Sequence, residues 1–138
     1  MRKDDGSAAI EFLLLTLLLF IPIIYLVLTV FALQGASFAA SGAARDAARV
    51  VATAGDYATA MRAVETSTAL AFDDFSIDAD PSISVTCESG CAEPGAIVRV
   101  TVSATVPLPL VPSFLADRAA IAVTAHAASV VDRFRERP

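Results

Sequence analysis

The stretch GSAAIEFLLLTLLLFIPIIYLVLTVFALQGASFAASGAARDAARVVATAG, residues 6–55, changes character part-way along. Residues 12–33 are 22 positions without a charge. As a helix rising about 1.5 Å per residue they reach about 33 Å, enough to cross a hydrocarbon core of about 30 Å. Thr16, Tyr25 and Thr29 are compatible with such a span, because a hydroxyl can bond back to the helix backbone. Pro22 removes one intrahelical hydrogen bond, so the sequence predicts a kink there. Beyond the span the composition turns to alanine. Ala44, Ala47, Ala48 and Val51 fall at i, i+3, i+4 and i+7, one apolar stripe, while Arg45, Asp46 and Arg49 face away. This pattern predicts one helix that leaves the membrane and goes on to line a folded domain. Gly35 and Gly42 weaken it and allow bends or close packing, and Gly55 is a suitable stop.

Working outward toward the N-terminus, Arg2 and Lys3 on the short side of the span favour a cytoplasmic N-terminus. Arg45 and Arg49 oppose this orientation from farther away. A cleaved secretory signal is a rival reading. It calls for a basic leader, an apolar core of about 7–15 residues and a small-x-small cut site. Here MRKDDG is only half basic and the core is longer, although GASFAAS offers small residues for a cut. A retained anchor, with the bulk of the protein outside the cytoplasmic membrane, fits better.

Glu11 is the feature that a plain anchor does not call for. It stands at the edge of the apolar run, as the fifth residue after Gly6. Gly6 followed by SAAIEF and an apolar helix resembles the processing site of type IV pilin-like proteins, and most closely the TadE-like minor pseudopilins of tight-adherence (Tad) pili. The resemblance is specific over residues 6–33; beyond them it rests on size and on the order of elements. It implies that a prepilin peptidase cuts between Gly6 and Ser7. Residues 1–6 are then the leader, 7–34 a transmembrane helix and 35–138 an exported pilin-like domain. It also implies that Glu11 acts in assembly, and that the partners are other pilin or pseudopilin subunits, the pilus assembly platform and the membrane. The physics agrees with it. Glycine before a scissile bond leaves room for a protease that grips extended backbone. A carboxylate at the edge of a bilayer costs on the order of a few kcal/mol unless it meets a counter-charge, and the new amine of Ser7 in a neighbouring subunit would supply one. A pseudopilin of a type II-like secretion system shares this logic. A membrane-anchored exported binding domain is a further alternative, in which Glu11 merely marks the start of the helix at headgroup level.

Toward the C-terminus, Asp56 is placed to cap a second helix, YATAMRAVETSTALAF, with Tyr57, Ala60, Met61, Val64, Thr68 and Ala71 or Phe72 along its buried stripe. From Ser82 the period becomes two. SISVTCE alternates Ile83, Val85 and Cys87 with polar residues, and AIVRVTVSATV does the same with Val98, Val100 and Val102. A third strand is expected over residues 119–131, with Ile121, Val123 and Ala125 on one face. These strands predict a small antiparallel sheet resting on both helices, an α+β, pilin-like arrangement. SGCAEPG reads as a hairpin loop, and PLPLVPSFLADR, with three prolines, as a crossover or surface loop.

The chain has 138 residues, a hydrophobic fraction of 56% and a net charge of −5. That is one modest domain plus an appendage, without the basic face of a nucleic-acid binder. Cys87 and Cys91 flank the hairpin loop, where an exported domain calls for a disulfide. The single histidine, His126, falls on the solvent face of the third strand with no nucleophile paired to it. Asp73, Asp74, Asp78 and Asp80 read as turn and cap residues, without EF-hand spacing. No glycine-rich phosphate loop or catalytic constellation is seen, so the sequence predicts a non-enzymatic subunit with no cofactor and no metal.

Overall fold

The computed structural model describes residues 5–88, 90–91, 93–112, 114 and 118–134, with the side chains of 5–7 excepted. Residues 1–4 of the expected leader therefore lie outside the described residues. Helix α1, Asp5–Thr53, is followed by α2, Tyr57–Asp73, and by strands β1, Ser82–Cys87, β2, Ile97–Pro107, and β3, Ala120–Val130. The strands form one antiparallel sheet in the order β1-β2-β3. The architecture is α+β: a long apolar N-terminal helix, a second helix and a small sheet.

α1 runs for 49 residues without interruption, through Pro22, Gly35 and Gly42. Its two halves meet different surroundings. From Ile10 to Phe31 the large apolar side chains are exposed, Leu18 by 72%. From Ala36 onward one face is buried, and it is built of alanine: Ala36, Ala39, Ala40, Ala43, Ala44, Ala47 and Ala48, then Val51 and Ala52. Alanine is the best helix former, and its short side chain lets a sheet approach the helix axis closely. The cost of two glycines, about 1 kcal/mol each, is small beside the burial of this face.

The sheet covers that face with the larger partners. Val98, Val100, Val102, Ala104 and Val106 of β2 are all buried, alternating with Arg99, Thr101, Ser103 and Thr105, which are exposed or half-buried. The register lines up Val85, Val100 and Ala127 across the three strands, and likewise Ile83, Val102 and Ala125. α2 completes the core with Ala60, Val64, Thr68 and Phe72, every fourth residue. Asp56 caps it from extended backbone, accepting the Thr59 amide at 2.8 Å.

Several expectations need correction. Tyr57, placed on the buried stripe of α2, is 49% exposed, because it sits in the first turn, past the end of α1 at Thr53. Ile121, placed on the inward face of the third strand, is 39% exposed near that strand's end. Residues 108–119 link neighbouring antiparallel strands, so of the two readings of this segment the surface loop holds and the crossover does not. Gly55 follows the helix without a left-handed φ; the last turn closes through the bond from the Ala54 amide to the Val50 carbonyl, 2.9 Å.

Candidate functional site: the N-terminal half of the long helix

The residues singled out in the sequence do not converge. Gly6 and Ser7 lie in the first turns of α1, and Glu11 about one turn further on. Pro22 is inside the same helix, about 24 Å along the axis from Gly6. Its ring supplies no N–H to the Leu18 carbonyl, yet the backbone stays helical across it. Cys87 and Cys91 belong to the folded domain, at the end of β1 and in the loop before β2.

Glu11 is exposed, and among the described residues no cation or hydrogen-bond donor meets it. Its surroundings are Ile10, Phe12, Leu14 and Leu15, all more than 60% exposed. α1 is long and apolar enough to cross a membrane: an 18-residue stretch of it has a mean hydropathy of 2.8, and none of that stretch is buried in the protein. The interior of a soluble protein would cover such a face; here nothing in the fold does. Polar groups within the span are handled locally. The Thr29 hydroxyl donates to the Tyr25 carbonyl at 2.9 Å, four residues back along the helix. Just beyond the run, Ser37 donates to Leu33 at 2.8 Å in the same way.

Cys87 and Cys91 form a disulfide across Cα atoms 5.2 Å apart. It closes a short loop that turns on Gly90, at φ 98°, and returns through Gly95, at φ 82°. Both are left-handed conformations that favour glycine. The link ties the last residue of β1 to the loop and stiffens its tip.

The remaining candidates are accounted for by local structure. His126 Nδ1 lies 2.9 Å from the Thr101 hydroxyl on the solvent face of the sheet, beside an exposed Arg99–Glu88 pair at 2.7 Å. Asp73, Asp78 and Asp80 border a surface depression between the end of α2 and β1, together with Phe72 and Ile77, and Asp74 is the C-cap of α2. Among the described residues no three His, Cys, Asp or Glu side chains are grouped to hold a metal ion. One buried polar group escaped the sequence reading: the Thr68 hydroxyl, on the core face of α2, has no hydrogen-bond partner among the described residues. A second feature it missed is the exposure of Leu110 and Phe114 at the tip of the β2–β3 loop. The signal was present as five large apolar residues among the prolines of PLPLVPSFLADR.

The chain matches no protein-family model, no curated protein and no solved structure.

Proposed function

We propose that this chain is a minor pseudopilin of the TadE-like kind, a non-enzymatic subunit for assembly or initiation of a Tad-type pilus. In this reading a prepilin peptidase removes residues 1–6 by cutting between Gly6 and Ser7. Residues 7–34 hold the protein in the cytoplasmic membrane with its N-terminus inside. Residues 35–138 stand outside, where they meet other pilin or pseudopilin subunits and the assembly platform.

One observation supports this reading above the others: α1 is a single helix whose first half is a bare membrane-length apolar rod and whose second half is the wall of the exported core. An anchor needs only to hold a domain near a membrane, and a flexible tether serves for that. A subunit drawn from the bilayer into a fibre must transmit force and position from the exported domain to the buried rod, and a continuous helix does so. The unpartnered Glu11 at the base of the rod fits the same purpose, since a carboxylate there finds a counter-charge in the processed Ser7 amine of a neighbour.

Glu11→Ala and Glu11→Gln test the proposal. Insertion depends on residues 12–33 and cleavage on Gly6 with its close surroundings, so both variants are exported and start at Ser7. Incorporation fails, because removing one partner of an ion pair in a low-dielectric bundle strands the other charge at a cost of roughly 3–5 kcal/mol. An exposed pair in water would be worth only about 0–1 kcal/mol. The expected result is loss of co-purification with other pilus subunits for both variants. Normal association of both would leave Glu11 as a boundary marker and remove the assembly role.

A further inference from the structure

The level of each element along α1 follows from its contacts. α2 starts just past the outer end of α1, and its C-terminal turn returns to Gly35. A Cβ built on Gly35 would lie 3.4 Å from Phe75 Cδ1 and 3.6 Å from Ile77 Cδ1. α2 is therefore antiparallel to α1, and the linker after it reaches the top of the apolar run. From Ile77 the chain climbs again: Asp80, Pro81 and Ile83 line one depression with Met61, Glu65 and Ala69. β1 thus runs away from the membrane end, β2 runs back toward it, and the β2–β3 loop hangs at that end.

The loop also hangs lower than the linker. Ser82, the first residue of β1, pairs with Ser103, and β2 continues four residues further, to Pro107. Four residues of strand reach about 13 Å. Ser82 follows five residues after Ile77, which packs on Gly35. The end of β2 thereby overhangs the start of β1 toward the apolar run. Burial agrees with this placement. Ala36 and Val106 are both buried yet stand apart from the main core cluster. At the tip of this overhang Leu110 is 79% exposed and Phe114 is 81% exposed, with Arg118 exposed behind them.

Resting on the reading of α1 as a membrane anchor, we propose that the β2–β3 loop is a second membrane contact: Leu110 and Phe114 enter the outer surface of the bilayer beside the point where α1 emerges. An aromatic and an aliphatic side chain at this depth exchange water for the headgroup–acyl boundary, and Arg118 faces lipid phosphate. The contact fixes the rotation and tilt of the exported domain over its anchor, which a single helix alone leaves free. The aspartates of the linker stay at headgroup level, where they remain hydrated. The occupant is lipid rather than a protein partner, because the patch is continuous in level with a surface that is itself fit for lipid.

The chain contains no tryptophan, so a single introduced one is a clean probe. Phe114→Trp, Phe20→Trp and Val130→Trp are made in the full chain. They are reconstituted into phosphatidylethanolamine–phosphatidylglycerol vesicles whose lipids carry bromine either near the carbonyl end or deep in the acyl chain. Phe114→Trp is expected to emit to the blue and to lose most of its emission to the shallow label. Val130→Trp, at the outer end of β3, is expected to stay red and unquenched, and Phe20→Trp to be quenched by the deep label. An unquenched Phe114→Trp beside a quenched Phe20→Trp overturns the loop contact and leaves the anchor standing. Equal quenching of Phe114→Trp and Val130→Trp also overturns it, since the domain then lies on lipid without a preferred face. If no label quenches Phe20→Trp, the anchor reading fails and the inference falls with it.

Discussion

At Asp56 one carboxylate oxygen accepts both the Thr59 hydroxyl, at 2.6 Å, and the Thr59 amide, at 2.8 Å. These bonds, the side-chain one first, hold its carboxyl below the ordinary aspartate value of 3.8. A carboxyl made more acidic by folding contributes stability above its unfolded pKa, and that contribution is lost as the pH falls through the lowered value. Asp56→Ala is therefore expected to lower the Tm of the detergent-extracted protein at neutral pH. The gap to the parent should close as the pH is brought well below 3.8, and Asp56→Asn, which keeps an acceptor, should lie in between. A pH-independent gap would assign the loss to something other than the charged cap. Thr68 presents the opposite case, a hydroxyl buried without a partner among the described residues. Valine keeps its shape and removes the desolvated group, so Thr68→Val is expected to raise unfolding stability by about 1 kcal/mol in a denaturant titration. A loss of that size would reveal a hydrogen bond to the hydroxyl. Of the two residues, Asp56 was legible in the sequence because it is an acid between a glycine and a periodic run. Thr68 was not, because a threonine in a stripe does not announce whether its oxygen finds a partner.

Among the elements, α1 shows why periodicity reads well in some places and poorly in others. Ala44, Ala47, Ala48 and Val51 were recognisable as one face, and all four are buried, because the sheet and α2 cover that face of the helix. Periodicity decides less at the ends of elements: Tyr57, in the first turn of α2, and Ile121, near the start of β3, keep their patterns but remain 49% and 39% exposed. Strand alternation was legible for the same reason that the alanine stripe was, while strand order and the overhang of β2 beyond β1 depend on pairing at a distance. The two faces of α1 also predict opposite responses to added bulk. A Cβ on Gly42 would meet nothing within 4 Å, so Gly42→Ala is expected to stabilise the protein through helix propensity, by roughly 0.8–1 kcal/mol. Two residues on, Ala44 is fully buried against the core, and Ala44→Leu is expected to cost roughly 1–3 kcal/mol through overpacking. Thermal melts of the two variants check the pair, and a destabilised Gly42→Ala would show that this outer face is covered in the isolated protein.

For the whole molecule, the arrangement joins a membrane-length rod and a small disulfide-tied domain through one unbroken helix. The coarse architecture was open to sequence reading because apolar length, alanine stripe and strand alternation are each local signals. The proposed processing site rests on resemblance alone, since a glycine and a glutamate five residues apart have no fold-level consequence: in the structure both simply lie in α1. The exposed apolar β2–β3 loop was hidden because its apolar residues sit among prolines, and only the direction of the strands shows which end of the domain they occupy. The most direct test of the central proposal is the intact mass of the protein extracted from the membrane of the cell that makes it. A pilin-like subunit is expected to have lost residues 1–6 and to begin at Ser7, and Gly6→Leu to retain the leader. A chain of full length would contradict the account in favour of a plain anchor, and loss of the whole apolar run would contradict it in favour of a secreted domain with a cleaved signal.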